Sequence, residues 1–268
     1  SGAGPEAGVI AIAVDSLSGE PVSRAVLRFA DGNTATGDRR GIIRSAEIGT
    51  EGAVIYATGY EPAPVESGAG DAGITVTRLV PVHGGILHGR RIVIDPAGGG
   101  TDDAGRGPGA LRGATVNMRL AKELEKLLTE AGASVIVTRQ GEEQLSDQQR
   151  IFRVNRFGAG LAIGLRFGNA EGPDPGCTLY HYPGSVAGTA VADSLSSGLS
   201  GIPPCESFIT AGSSDIFLQQ TNCPAIVISG ASLSDGDAEK ILGSFRWIGL
   251  EAERIMFSLI AYFGAQDR

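Results

Sequence analysis

Histidine is nearly missing from this chain. His83, His88 and His181 are its only three, and no two of them have the spacing of a metal-binding motif. Cysteine is as scarce, and three thiols are too few for a disulfide framework. Cys205 and Cys223 could pair and leave Cys177 free, or all three are small buried thiols. A pair would point to an oxidising compartment and would stabilise the fold by about 3 kcal/mol. Basic runs are absent too: the net charge is -8, which excludes a nucleic-acid partner held by phosphate contacts. No apolar run is long enough to cross a bilayer, and Ser1 to Pro5 lack the basic and apolar regions of a signal peptide. The chain is therefore expected to be soluble, with Ser1 a boundary left either by processing or by the choice of the expressed segment. Glycine, by contrast, is plentiful. Its 41 copies imply loops and tight turns rather than helix bundles. With 268 residues, 42% of them hydrophobic, there is enough chain for one large or two ordinary domains.

Residues 7–82 read as short strands punctuated by turns. Stretches 8–14, 25–29, 42–43, 53–56 and 74–79 are apolar or alternating, with Ser18-Gly19-Glu20-Pro21 and Asp31-Gly32-Asn33 as turns. None carries a sustained helical period, so the expectation is a small all-β sandwich. Gly68, Gly70 and Gly73, then Pro81 to Gly85, read as linker, which divides the chain into residues 1–84 and 85–268. From residue 91 strands alternate with helices. This predicts an α/β domain with a mostly parallel twisted sheet flanked by helices. Val116, Leu120, Leu124, Leu127, Leu128 and Ala131 recur at helical steps, with Gly132 as a stop. Ser146 is placed to cap a second helix, 186–199 reads as a third, and 238–263 as one long final helix. Strands are expected at 134–138, 161–165, 177–182 and 225–228.

The segment Arg91-Ile92-Val93-Ile94-Asp95-Pro96 ends a buried strand abruptly and opens onto Ala97-Gly98-Gly99-Gly100. Ligands of open α/β sheets bind beyond the carboxyl ends of the strands, so this edge is the expected site. Gly98 to Arg112 and Asn169 to Gly176 would be its walls. The same loops could equally be plain mobile connections.

Residues 90–264 resemble the zinc-dependent N-acetylmuramoyl-L-alanine amidases, which cut the amide between muramic acid and the first alanine of the stem peptide. The likeness is carried by residues 92–100, Val116-Asn117, Val135 to Arg139, Leu145-Ser146 with Arg150 and Asn155, Asn169-Ala170, and 224–228. It implies a zinc held by two histidines and a glutamate, with a second glutamate as base. The ligand positions fall on Gly98, Gly113 and Arg166, and the base on Ser229, so none of the four is retained and no cofactor is expected. Residues 15–25, 36–41 and 57–62 resemble the carboxypeptidase regulatory-like β-sandwich.

Arg166 is read as taking over the charge of the metal by pairing with Asp95, because a buried aspartate without a cation is costly. Alternatively, Arg166 faces solvent and Asp95 accepts from the amides of Gly98 to Gly100. The candidate groove is Asp95, Gly99, Gly100, Arg166, Asn169 and Ser229. The leading expectation is a non-catalytic amidase-like protein of the bacterial envelope, periplasmic or extracellular, whose partner is peptidoglycan or an envelope protein. Two others stay open: an active hydrolase with a rebuilt metal site or other chemistry, and a C-terminal part of a larger envelope enzyme. For non-metal chemistry, Ser229-Gly230 faintly resembles a nucleophile turn, although the full motif is absent.

Overall fold

A computed structural model describes residues 8–45, 50–65, 74–169 and 176–267. The linker glycines Gly68, Gly70 and Gly73, and residues 170–175 of one expected groove wall, lie outside them. The chain divides into two compact units: Ser1–His88 with Glu130–Gly132, and Gly89–Thr129 with Ala133–Arg268.

In the first unit β1 (Gly8–Asp15) pairs antiparallel with β4 (Ile42–Ser45) and parallel with β7 (Thr75–Leu79). A second sheet runs β3 (Thr34–Thr36), β2 (Val26–Arg28), β5 (Val54–Tyr56), β6 (Ala63–Pro64). Alternating residues from both sheets, among them Ala11, Ala13, Leu27, Ile43, Ile55 and Leu79, form one apolar cluster. Tyr60 serves this unit structurally. Its hydroxyl donates to Asp15 at 2.9 Å, and its ring meets that of His88 edge-on. Burial, with the Asp15 carboxylate beside it, pushes the Tyr60 phenol up to about 12.

The second unit opens with β8 (Arg91–Pro96) and α1 (Gly113–Glu130), which ends at Gly132 with φ of 94°. Then come β9 (Ser134–Val137), α2 (Asp147–Phe157), β10 (Leu161–Leu165), β11 (Thr178–His181), α3 (Val186–Leu199), β12 (Ile209–Gly212), α4 (Ile216–Gln220) and β13 (Ala225–Ser229). Ser146 caps α2 in a reciprocal box with Gln149. Strand order is β12-β11-β13-β10-β8-β9. The expectation of a mostly parallel sheet is corrected to a mixed one: β11 runs antiparallel to β13, with β12 parallel to β11. Residues 166–177 join β10 to β11 with no helix among the described residues, whereas parallel neighbours need a long crossover. On one face Val93, Ala162, Ala225 and Val227 pack against Ile151 and Val154 of α2 and Phe217 and Leu218 of α4. The final helix is also corrected. It is two, α5 (Gly236–Leu242) and α6 (Phe245–Gln266), because Gly243 ends the first and the Ser244 hydroxyl accepts from Trp247 N to start the second.

A third correction concerns the thiols. Cys177 bonds Cys205, and Cys223 is free. Cys177 directly precedes β11 and its carbonyl accepts from Ile209, the first residue of neighbouring β12. That brings the loop carrying Cys205 to a Cα–Cα distance of 5.8 Å. Cys223 packs instead against the cluster of α2 and α4.

Candidate functional site

Strands β8, β10 and β13 run parallel and end together, with Asp95 opposite Gly164, Pro96 opposite Leu165, and Leu165 opposite Ile228. Asp95 is wholly buried at this edge. One carboxylate oxygen accepts from the Thr138 hydroxyl and from Arg150 Nη1 at 2.8 Å. The other accepts from Arg166 Nη2 at 2.6 Å, while Arg166 Nη1 donates to the Asp95 carbonyl at 2.7 Å. Of the two arrangements open for Arg166, the ion pair is the one present. The amide of Gly99 donates to the Asp102 carbonyl, not to Asp95. Burial acts to raise the Asp95 pKa, but Arg166, then Arg150, and hydrogen bonds from Thr138 and Arg150 together hold it below the ordinary carboxylate value.

Each partner has a sequence-local reason to be there. Arg150 lies one turn into α2, whose start is fixed by the Ser146 cap, and it also donates to the Pro96 and Gly98 carbonyls. Arg139 follows β9 and is fully buried with four carbonyls as partners, those of Pro96, Ala97, Ala114 and Gly141. Its burial, then Arg150 nearby, lowers its pKa from the usual arginine value. Asn117 of α1 clamps the turn after β10, accepting from Phe167 N at 2.8 Å and donating to Phe167 O at 3.0 Å. Gly164 leaves room for Arg166 to fold back, since a Cβ there would lie 3.3 Å from Arg166 Nη1 and 2.9 Å from Val227 Cγ2.

Above this cluster is a cleft of about 390 Å3 lined by residues that include Gly98, Asp102, Asp147, Arg150, Arg166 and Asn169. Gly98, Arg166 and Asn169 of the expected site thus come together over Asp95. Gly99 and Gly100 turn instead toward Glu143 and Gln144, and Ser229, at the end of β13, is not among the lining residues. The wall at 98–112 is cross-tied. Asp103 takes both Arg106 and Arg112, Asn169 donates to Arg106 O, and buried Glu239 of α5 accepts from Gly109 N at 2.7 Å and Leu111 N at 2.9 Å.

Arg150 and Arg139 stand in the sequence as parts of motifs, and nothing in those motifs assigns either a partner at the site. The signal was available: a strand that delivers a carboxylate into an apolar interior needs cations, and the nearest motifs each carry an arginine.

The pattern of N-acetylmuramoyl-L-alanine amidases matches residues 92–257, more than half of the chain. The chain belongs to that family. Solved amidases share the fold. The AmiC2 amidase of Nostoc punctiforme aligns with a TM-score of 0.60 at 22% identity, over 65% of this chain and 97% of that one. An N-acetylmuramoyl-L-alanine amidase of Clostridium difficile 630 gives 0.61 at 20%, over 66% and 98%. The CwlD amidase of Clostridioides difficile, solved in complex with the GerS lipoprotein, gives 0.58 at 15%, over 66% and 99%. No curated protein sequence matches significantly.

The zinc implied by the amidase family does not fit the residues present. Glycine offers no donor at 98 or 113, and space for a larger side chain is lacking. A Cβ on Gly98 would lie 2.6 Å from Ala114 Cβ, and one on Gly113 would strike the carbonyls of Ala104 and Phe167. Arg166 is a cation already paired with Asp95. Among the described residues no group of three or more His, Cys, Asp or Glu is arranged to hold a metal. His83 and His88 belong to the first unit, and His181 Nδ1 sits 3.1 Å from the Tyr182 carbonyl on β11. Neither Cys205 nor Cys223 offers a reactive thiolate. Cys205 is in the disulfide, and burial pushes the Cys223 thiol up to about 11.

Proposed function

We propose that this amidase-family chain is non-catalytic and binds peptidoglycan in the bacterial envelope. The observation that carries this reading is the Arg166–Asp95 ion pair, with a guanidinium at the position where the resemblance puts a zinc-binding histidine. A site that delivers hydroxide to an amide needs three metal ligands and one open position, and an arginine saturating the edge aspartate supplies neither. The cleft and its tied loops nevertheless remain as a preformed recess of the size that ligands occupy. No helix among the described residues is long and apolar enough to cross a membrane. The envelope location and the accessory role of the first unit, read as a regulatory-like β-sandwich, follow from this proposal and rest on the resemblance.

The test is metal analysis of the protein after incubation with excess zinc and desalting, beside a peptidoglycan-release assay and a pull-down on intact peptidoglycan. Retention on the wall without bound zinc or released stem peptide is the expected result. Stoichiometric zinc with release would make the protein an active amidase with a rebuilt site. Failure to bind the wall would shift the partner to an envelope protein.

A further inference from the structure

The cleft floor carries more positive charge than its buried carboxylate can neutralise. Among the described residues Asp95 is the single anion paired with Arg150 and Arg166, and both of its oxygens are engaged by those arginines and Thr138. Arg150 is only 7% exposed, but Arg166 keeps 27% of its side chain open, and both line the cleft. A guanidinium has five N–H donors in a planar fork. Among the described residues Arg166 Nη1 serves two carbonyls and Nη2 one carboxylate oxygen, which leaves the Nε–H and the second Nη2–H as further donors. This edge is held in place by the ion pair and by the Phe217 ring, whose centroid lies 5.5 Å from the guanidinium carbon.

The rim has the opposite sign. Asp102 and Asp147 line the same cleft, and among the described residues Asp102 uses one carboxylate oxygen, on Ala104 N. Asp103 close by is already matched by Arg106 and Arg112. A dianion such as phosphate would therefore meet two aspartates on its way to the floor. A group with one carboxylate and ammonium or amide donors around it complements floor and rim together.

We infer that Arg166 is the anchor for a carboxylate of a peptide ligand, with Asp102 and Asp147 receiving the amino or amide groups beside it. This deepens the peptidoglycan-binding reading and rests on it: the ligand class is the stem peptide, recognised through a free carboxylate rather than through a metal.

The experiment is calorimetric titration of the full chain with muramidase-released muropeptides that keep their stem carboxylates, with the same material after conversion of those carboxylates to amides, and with inorganic phosphate. Amidation is expected to weaken binding about tenfold or more, the range for loss of a charge-assisted hydrogen bond. Phosphate at equal concentration is expected neither to bind nor to compete. Arg166→Gln should abolish the difference between free and amidated muropeptides. Arg166→Lys, which keeps the charge and guards against a folding defect, should retain part of it, and urea melts of both variants check the fold. Equal affinity for free and amidated material, or no binding of the free material, overturns the inference, as does competition by phosphate. Retention on intact peptidoglycan separates the two readings. If the wall is bound equally before and after amidation, the carboxylate anchor fails and wall binding stands. If free muropeptides bind and the wall does not, the anchor stands and wall binding fails.

Discussion

At the level of single residues, Asp95 sets most of the site. It is wholly buried and answers two arginines and a threonine, so its removal leaves two guanidiniums facing each other in the interior. Asp95→Asn is expected to destabilise the second unit by about 3–5 kcal/mol, the cost of breaking a buried pair from one side. The same residue gives an acid-sensitivity. Its folded pKa lies below the value of about 3.9 for an unfolded aspartate, so its stabilising contribution is complete above that value and is lost as pH falls through the folded pKa. Urea melts from pH 5 downward should show the wild type losing stability more steeply than Asp95→Asn; parallel curves would mean that the pair contributes nothing. Gly164 makes a complementary case. Adding a methyl there meets Val227 and crowds Arg166, and Gly164→Ala should cost about 1–3 kcal/mol by overpacking.

At the level of elements, the disulfide fastens the approach to β11 to the loop before β12, the edge strand of the larger sheet. Cys177 and Cys205 are 28 residues apart, a loop whose closure stabilises by about 3–4 kcal/mol in the chain-entropy model. Cys177→Ser and Cys205→Ser should each lose that amount in non-reducing urea melts. Cys223→Ser should leave the wild-type sensitivity to reductant intact, and a Cys205–Cys223 peptide in a non-reducing digest would refute the pairing. Sequence could not choose this bond, because the choice depends on β12 lying beside β11, and residues 209–212 read Ile-Thr-Ala-Gly with no strong strand pattern. Elements with a dense periodic signal were legible: the run from Val116 to Ala131, the Ser146 cap, and the buried strands at 92–96 and 161–165. The five-residue α4 carries too little pattern to be read, and the break at Gly243 and Ser244 was hidden because apolar residues keep their spacing across it. At the site, the sequence marked Asp95, Gly98, Arg166 and Asn169. The buried roles of Arg139, Arg150 and Glu239 depend on three-dimensional closeness between segments dozens of residues apart, which periodicity does not encode.

At the level of the whole molecule, two buried carboxylates bound the pH range of stability from opposite sides. Asp95 has cations to hold its charge, whereas Glu251 of α6 is 2% exposed and one of its oxygens has no hydrogen-bond partner among the described residues. Burial, opposed in part by Arg254, pushes its carboxyl up to about 8. An unfolded glutamate titrates at about 4.3, so between that value and about 8 the folded chain holds a proton that the unfolded chain has released. Stability therefore falls as pH rises through this interval, the reverse of the Asp95 contribution. For these two groups together the optimum lies at mildly acidic pH. Glu251→Gln keeps the shape and removes the ionisation. At pH 4 it should match the wild type within about 1 kcal/mol, and at pH 8 it should exceed it by on the order of 3 kcal/mol, since every tenfold change in proton affinity corresponds to about 1.4 kcal/mol and relaxation around the charge offsets part of it. Chemical denaturation at pH 4, 6 and 8 measures both curves. If the difference between variant and wild type does not grow with pH, Glu251 is ionised in the folded protein at neutral pH, and a cation or water must reach it between α6 and its packing partners.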